Sequence, residues 1–413
     1  MQNVQRDHFD LTTRTICALL SQTLFGVPYT PEGGEDWDAV FQESRQQSVC
    51  VQVFATCNQI PDFPAELHAK IQTFLIRSIT YNARIHVQHT ELHRQLSALG
   101  VPYTVLKGAA SAAYYADPLS RAMGDVDFYV AEANFEQMID WFHAQEYEVS
   151  QLDHDCHVVL KKDRIHMEMH RVPAGVPHGE VGARILSYLS DLDVAARLLE
   201  NGAVSCWCPS PFHHGLVMLM HLQHHILAEG VGLRHLCDWA VFVNSFEGNA
   251  FAELFEARLK SVGLWRLAQL LSLASVQFLG MPEQPWIRSQ PQDEEIAADL
   301  MQDILSGGNF GRKDRQRAYE GMFISQRGKD GLHHNRLLEA FGALHRITCQ
   351  KHPFFARCKI FLPIGWVITF GGYLLRNKKR RKNGVNISTL DAYRQSESRQ
   401  KLYQQLKLYE PEA

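Results

Sequence analysis

The run RAMGDVDFYV, at positions 121–130, places two aspartates one residue apart in a stretch that is otherwise typical of a buried strand. Alternate residues of a strand share a face, so Asp125 and Asp127 should lie on one side, with Val126 and Phe128 on the other. Two like charges this close repel each other unless they face solvent or a cation lies between them. An isolated pair would be a solvated strand edge, so its surroundings decide whether it binds a metal.

A third carboxylate lies downstream with matching parity. The run HVVLKKDRIHMEMHR, at 157–171, predicts a β-hairpin that turns near residues 162–163. On the second arm Glu168 and His170 share a face, and Glu168 can reach the two aspartates if this arm lies beside their strand. Three converging carboxylates favour a hard cation such as Mg²⁺, which leaves coordination positions for substrate phosphate.

A strand followed by a Lys-Gly turn precedes the aspartates. Residues 101–106 (VPYTVL) predict a strand, and residues 109–115 predict a short helix. Between them, Gly108 would let a phosphate approach the backbone, and Lys107 would add a positive charge. The alternative is a plain turn.

Two further side chains near the carboxylates each have two interpretations. Arg121 lies four residues before Asp125, near enough to bind a phosphate or to pair structurally with a carboxylate. His170 follows Glu168 on the same face, where it could orient a carboxylate or a substrate, or be a surface histidine without a role. The sequence leaves both alternatives open.

These motifs resemble a known family. Residues 106–130, LKGAASAAYYADPLSRAMGDVDFYV, resemble the signature of the uncharacterised nucleotidyltransferase family of the polymerase-β superfamily. In that family a strand, a Lys-Gly turn, a helix and an Arg-x-x-x-Asp-x-Asp strand recur. Residues 167–171, MEMHR, are similar to its glutamate-histidine strand, and residues 221–243 resemble its helical segment. The similarity covers about residues 85–243.

The resemblance implies an α+β fold, with a small mixed sheet of nucleotidyltransferase type and large flanking helical regions. It implies catalytic metal ligands at Asp125, Asp127 and Glu168, Mg²⁺ as the cofactor and an NTP as the donor of the NMP group. The acceptor would be a hydroxyl of an unidentified small molecule or protein. The alternative is a catalytically silent protein that keeps the nucleotide cleft for binding or regulation.

Four residues are the predicted nucleotide-binding residues. These are Lys107, Gly108, Ser111 and Arg121. The superfamily's usual turn is Gly-Ser, whereas this chain has Lys107-Gly108-Ala109, and Ser111 is the nearby hydroxyl. At this turn the chain departs from the superfamily's pattern, whereas its carboxylates match it.

The histidine-rich segment 221–243 supplies further candidate substrate contacts. His221 and His225 are four residues apart, a spacing that could share a metal, but the glutamate of an HExxH zinc site is missing. Helix packing or substrate contact is therefore favoured for His221. Arg234 and Asp238 are also four apart and could form an ion pair on the helix, or contact substrate if the helix covers the cleft.

A glycine-rich segment, SGGNFGRKD at 306–314, interrupts the C-terminal helices. Its backbone amides could hold an anion beside Arg312 and Lys313. A flexible linker is the favoured interpretation.

The pattern along the chain predicts four regions: an N-terminal helical region (1–100), a nucleotidyltransferase α/β core (101–172), a C-terminal helical region (173–383) and a polar tail (384–413).

Composition restricts the class of protein. The formal net charge of −4 over 413 residues argues against a nucleic-acid acceptor, because phosphate backbones are bound by basic surfaces. Nine cysteines without paired spacing indicate reduced thiols, and no export signal is visible, so we expect a cytoplasmic protein.

One uncharged run, residues 360–375, precedes the basic run RNKKRRK at 376–382. The run is short for a membrane span and contains a proline, so a buried helix with a solvated basic end is favoured. Weak peripheral contact of residues 354–382 with an anionic membrane is the alternative.

Overall fold

The structure is a computed structural model of the chain. It describes residues 9–60, 63–151, 156–163, 165–177, 179–201, 204–287, 291–314, 317, 344–345, 348–349, 354–355, 359–371 and 399–412. The predicted basic run at 376–382 and the first part of the predicted polar tail lie outside these ranges.

Helices make up most of the described chain. In chain order, the α-helices between residues 9 and 307 are α1 (Leu11–Phe25), α2 (Trp37–Gln46), α3 (Cys50–Val53), α4 (Ala65–Leu99), α5 (Ala109–Ala112), α6 (Glu132–Ala144), α7 (Glu180–Tyr188), α8 (Pro211–Leu227), α9 (Leu233–Asn244), α10 (Ala250–Ser261), α11 (Trp265–Leu279) and α12 (Pro291–Gly307).

The helix ends follow local sequence signals. Asp10 caps α1 by accepting a hydrogen bond from the Thr13 amide at 2.8 Å, and Gly26 ends the helix with a φ of +71°. Ser210 precedes α8, and Pro211 occupies its first position, where a missing amide hydrogen has no cost. Helix α1 therefore agrees with the helical character predicted for the N-terminal region, 1–100.

The strands form two sheets. They are β1 (Thr104–Val105), β2 (Val126–Tyr129), β3 (Glu148–Gln151), β4 (His157–Lys162), β5 (Ile165–His170), β6 (Arg197–Glu200) and β7 (Ser205–Cys208). The larger sheet has the order β1-β2-β5-β4-β3, and only β2 and β5 run parallel. This mixed sheet between helical regions confirms the predicted α+β class.

The register of the sheet brings the two predicted motifs together. Asp127 on β2 lies opposite Glu168 on β5, and β4 and β5 form the predicted hairpin, with Asp163 in its turn at a φ of +53°. The alternation of side chains is also confirmed, because the other face of both strands is buried in the core. Its buried residues are Val126, Phe128, Val130, Met167 and Met169.

Three elements differ from the predictions. The helix predicted for 109–115 ends at Ala112. Strand β3 was not predicted, and β6 lies within the region 173–383, which was predicted to be helical. The sequence of β6, RLLE, is too short to show a period, and its pairing with β7 decides its conformation.

Helix α4 belongs to two hydrophobic cores. Its first half packs in a core made of the N- and C-terminal helices, through Leu67, Ile71 and Leu75. Its second half packs in the core of the larger sheet, through Ile85, Leu92 and Leu96. The helix therefore ties the sheet to the helical regions, and the predicted domain boundaries at 100 and 172 remain predictions.

The run that begins at Ile360 is not the buried helix that we favoured. Residues 362–371 are helical, but Ile360 is 89% exposed and Val367 is 71% exposed. Within the described part of the chain, no helix combines the length and apolarity needed to span a membrane.

Replacing Phe128 with alanine tests the sheet core. Phe128 is fully buried, so Phe128→Ala should lower the free energy of unfolding by about 3–5 kcal/mol through lost burial and an internal cavity. Val87→Ala on α4, where the side chain is exposed, is the control and should change it by less than about 0.5 kcal/mol. Urea unfolding followed by circular dichroism measures both, and equal effects would contradict the placement of this core.

Candidate active site

Most of the predicted site residues line one small cavity. It has a volume of about 90 Å³ and lies between the turn after β1, the segment before β2, and helices α8 and α9. The predicted residues in its lining are Lys107, Gly108, Ser111, Arg121, Asp125, Asp127, His221, Arg234 and Asp238. Sequence positions more than 100 residues apart thus meet at one place, although the role of each remains a prediction.

The carboxylates lie among cationic and imidazole groups. Asp127 is buried, and its Oδ1 lies 2.9 Å from Lys107 Nζ and 3.2 Å from His170 Nε2. Glu168 Oε2 lies 3.5 Å from the same His170 nitrogen and 3.7 Å from His157 Nε2. His170 therefore links Asp127 to Glu168.

The electrostatics separate Asp125 from the other two carboxylates. Burial raises the pKa of Asp125 to about 6, and the charges of Asp127 and Glu168 contribute in the same direction. Burial also acts to raise the pKa of Asp127, but Lys107 and His170 outweigh it and hold that pKa well below its usual value. The pKa of Glu168 is likewise lowered, mainly by its hydrogen bond with His170, although burial opposes this.

The pKa of His170 is shifted in the opposite direction from those of Asp127 and Glu168. Burial lowers its pKa, but the hydrogen bonds to Asp127 and Glu168 prevail and raise it. Asp125 is therefore the one of the three carboxylates whose ionisation is disfavoured, first by burial and then by the charges of Asp127 and Glu168.

This donor set fits a divalent cation. Carboxylate oxygens from adjacent strands are hard ligands, and a bound cation would favour the ionised form of Asp125, whose pKa is raised by burial and by the neighbouring carboxylates. Among the described residues, His157, Glu168 and His170 form a group whose possible ligand atoms all lie within 4.8 Å of one another. Imidazole nitrogens suit transition ions as well, so the donor set does not select one metal.

The Lys-Gly turn has the geometry that only glycine adopts readily. Gly108 has a φ of +63°, and a Cβ there would lie 3.2 Å from His89 Nε2. The turn therefore brings its backbone close to the imidazole and directs Lys107 to Asp127. Ser111, in the short helix that follows, lies with its Oγ 3.5 Å from His214 Nε2.

Arg121 takes the structural alternative of the two that the sequence left open. It is buried and donates to both oxygens of Asp238, from Nε to Oδ1 and from Nη2 to Oδ2, each at 2.7 Å. Tyr115 donates its hydroxyl to Asp238 Oδ1 at 2.7 Å. Asp238 thus holds the segment before β2 against helix α9.

The alternative of an ion pair between Arg234 and Asp238 was wrong. The fork of Arg121 occupies both oxygens of Asp238, and Arg234 Nη1 donates instead to the Ala122 carbonyl at 3.2 Å. Burial lowers the pKa of Arg234 to about 10, and the nearby Arg121 adds to the effect. The Arg234 Nε is buried and has no hydrogen-bond partner among the described residues, which is unusual for a buried cation.

His221, on helix α8, packs against the rings of neighbouring side chains. Its ring centroid lies 4.3 Å from that of His225 and 6.3 Å from that of Phe310. Burial lowers its pKa well below the usual value, and Lys107 contributes further, so the imidazole is neutral. Ring packing beside the small cavity agrees with the favoured interpretation of helix packing or substrate contact.

Sequence reasoning missed three residues of this region: His157, His235 and Phe310. His157 lies directly opposite His170, and the hairpin turn at 162–163 was enough to deduce that pairing. His235 and Phe310 had no comparable signal, because tertiary packing alone brings α9 and the 309–311 turn to the cavity. Phe310 has a φ of +53°, a conformation that bulky residues seldom adopt.

The segment 306–314 is bonded to helix α2, which contradicts the favoured interpretation of a linker. Arg312 Nη1 donates to the Arg45 carbonyl at 3.2 Å and to Ser48 Oγ at 3.0 Å. Lys313 Nζ lies 2.9 Å from Glu43 Oε1. These bonds hold Arg312 in the wall of a second, larger cleft.

The buried pair between Arg121 and Asp238 should matter for stability. Asp238→Asn keeps the shape of the side chain but leaves the Arg121 charge uncompensated, and should cost about 3–5 kcal/mol of unfolding free energy. Asp38→Asn, in the exposed pair with Lys70, is the matched control and should cost no more than about 1 kcal/mol. Urea titration distinguishes the two, and a small loss for Asp238→Asn would mean that Arg121 does not depend on this partner.

The chain matches the profile of a known protein family. The profile of the family described as uncharacterised nucleotidyltransferase matches residues 33–280, more than half of the chain and more than the similarity noted in the sequence. No curated protein sequence matches the chain significantly. The matched residues include both aspartates, Glu168 and the helices around the small cavity. The chain therefore belongs to the uncharacterised nucleotidyltransferase family, which places it among transferases that move an NMP group from an NTP.

Proposed function

We propose that the protein is a Mg²⁺-dependent nucleotidyltransferase that moves an NMP group from an NTP onto a hydroxyl of a small-molecule or protein acceptor. One observation carries this proposal: the parallel pairing of β2 and β5 sets Asp127 opposite Glu168, with Asp125 beside them at the Lys-Gly turn. The net charge of −4 supports an acceptor other than nucleic acid.

The three carboxylates have distinct roles in this proposal. Asp125 and Asp127 hold the metal, and Glu168 completes the metal site and helps to remove the proton of the acceptor hydroxyl. Bound Mg²⁺ would neutralise the triphosphate and favour attack by the acceptor oxygen. His170 keeps Asp127 and Glu168 in position, since its Nε2 lies within 3.5 Å of both side chains.

Lys107 and Gly108 are the proposed contacts of the donor phosphates. Lys107 pairs with Asp127 and is 24% exposed, so its ammonium can turn to a phosphate when a metal satisfies the carboxylate. Arg121 supports this site through Asp238 instead of binding phosphate. Arg234 replaces it as the proposed cationic contact, because its guanidinium faces the small cavity and has no carboxylate partner among the described residues.

The alternative is a catalytically silent protein that binds a nucleotide or a regulatory partner. The charges of Asp127 and Glu168 repel that of Asp125 and, together with burial, raise its pKa. A silent protein would have no reason to keep three carboxylates together against this repulsion. The arrangement therefore favours the enzyme.

Nucleotide titration tests the proposal. ATP, GTP, CTP and UTP are titrated calorimetrically, with and without Mg²⁺, into the wild type and Asp127→Asn. We expect at least one nucleotide to bind only with Mg²⁺, and this binding to fall below detection in Asp127→Asn because the metal loses a ligand. Pyrophosphate release from the bound nucleotide should disappear in the same variant.

Asp140→Asn is the matched control, because it removes the same charge from an exposed position on α6. It should bind nucleotide like the wild type, and unfolding curves check that Asp127→Asn remains folded. If no nucleotide bound to the wild type under any condition, the enzyme proposal would give way to the silent protein.

We also propose weak peripheral contact between residues 354–382 and an anionic membrane. The specific observation is a set of exposed apolar side chains that precede the basic run in the sequence. Its exposed residues are Phe354, Ile360, Phe361, Ile364, Val367, Ile368 and Phe370. The run RNKKRRK follows in the sequence, and apolar side chains beside a basic cluster are the features that such contact uses.

Vesicle sedimentation tests the membrane contact. The wild type should sediment with vesicles of phosphatidylserine and phosphatidylcholine at low salt, but not with phosphatidylcholine alone. Ile360→Glu/Val367→Glu should abolish this binding, whereas Val194→Glu, at an exposed residue elsewhere, should not. Absence of binding to anionic vesicles at low salt would remove the proposal.

A further inference from the structure

A second, larger cleft opens at the same carboxylate as the small cavity. Its volume is about 790 Å³, within the range of roughly 300–1,000 Å³ that is usual for ligand pockets. The two hollows share Gly124, Asp125, Arg234 and Phe310 and otherwise have different walls. A ligand in the large cleft would therefore reach Asp125 without entering the small cavity.

Positive charge dominates the wall of this cleft. Four arginines line it, and Asp125 is the one acidic residue in the lining. Within the described part of the chain, none of the four forms an ion pair with a carboxylate. They are Arg45, Arg77, Arg234 and Arg312. This local excess contrasts with the net charge of −4 of the whole chain.

Neutral groups hold three of these arginines in place. The Arg45 guanidinium lies over the ring of Phe74, 5.3 Å from its centroid. Arg312 donates to Ser48 Oγ and to the Arg45 carbonyl, and Arg234 donates to a backbone carbonyl of the segment before β2. These three guanidinium groups are held in place by neutral partners, which do not neutralise their charge. Guanidinium groups held in this way are suited to recognition of phosphate.

The proposed donor contacts and three of the cleft arginines line different hollows. Lys107 and Gly108, the proposed donor contacts, line the small cavity alone, whereas Arg45, Arg77 and Arg312 line the large cleft alone. In-line transfer requires the attacking oxygen to approach from the side opposite the leaving pyrophosphate. The acceptor therefore belongs in the large cleft if the donor phosphates lie at the Lys-Gly turn.

We infer that the large cleft binds the acceptor, and that the acceptor carries a phosphate group in addition to the hydroxyl that reacts. This inference rests on the proposed function. The hydroxyl oxygen forms a bond to the α-phosphorus, its proton passes to Glu168, and the bond to the bridging oxygen breaks, so that pyrophosphate leaves with the electron pair. Arg45, Arg77 and Arg312 bind the acceptor's own phosphate and leave its hydroxyl at Asp125.

Titration with a matched pair of probes tests this inference. The protein is first saturated with Mg²⁺ and a non-hydrolysable analogue of the NTP that it binds, so that the donor site is filled. Inorganic phosphate, glycerol 3-phosphate and glycerol are then titrated calorimetrically. We expect the two phosphate compounds to bind and glycerol not to bind.

Variants of the arginines locate the binding. Arg77→Gln/Arg312→Gln should weaken the affinity for both phosphate compounds by about tenfold or more, because each arginine provides charge-assisted hydrogen bonds. Arg77→Gln alone should show a smaller loss and avoids disturbing the bonds of Arg312, since Arg77 is exposed on α4. Arg197→Gln, at an exposed residue of β6 outside the cleft, is the control and should bind like the wild type.

The outcomes separate this inference from the proposed function. Mg²⁺-dependent nucleotide binding without any phosphate binding, or with phosphate binding that is equal in Arg77→Gln/Arg312→Gln, would overturn the inference and leave the proposed function in place. A loss of nucleotide affinity in Arg77→Gln/Arg312→Gln would also overturn it, because the donor would then occupy the large cleft. If the wild type bound no nucleotide, the proposed function itself would fall.

Discussion

The parallel pairing of β2 with β5 is the constraint on which the site depends. It holds Asp127 and Glu168 side by side at a position where burial strengthens their repulsion from Asp125. Lys107 and His170 offset part of this charge at Asp127, whereas burial, together with the charges of Asp127 and Glu168, raises the pKa of Asp125. A bound cation would coordinate the carboxylates and reduce the repulsion among them.

The helical regions keep the segment before β2 in place. Arg121 and Asp238 form a buried, bidentate pair between that segment and α9, and Tyr115 adds a hydrogen bond to the same carboxylate. Arg234, one turn earlier on α9, bonds to the Ala122 carbonyl. Helix α4 joins the two hydrophobic cores, so the sheet and the helices position Asp125 together.

Two hollows that meet at one carboxylate suit a reaction between two substrates. The small cavity is lined by the Lys-Gly turn, Asp125 and Asp127, whereas the large cleft is walled by α2, α4 and the segment around Arg312. Phe310 separates them and contacts Arg234 through its ring, with the guanidinium carbon 5.5 Å from the ring centroid. Its left-handed backbone conformation indicates local strain, a feature that tends to occur at functional sites.

The sequence by itself determined the family, the α+β class and the local order of motifs, because these depend on short-range signals. Strand alternation placed Asp125, Asp127 and Glu168 on one face, and the hairpin turn set the register of β4 and β5. Tertiary structure decided the partner of Arg121, which lies 117 positions away at Asp238, and brought the cleft arginines together from distant helices. Spacing within α9 suggested Arg234 as the partner of Asp238, but the guanidinium of Arg121, from another segment, makes the bidentate contact with that carboxylate instead. Contacts of this kind depend on which surfaces meet when the chain folds, and the local sequence does not specify that choice.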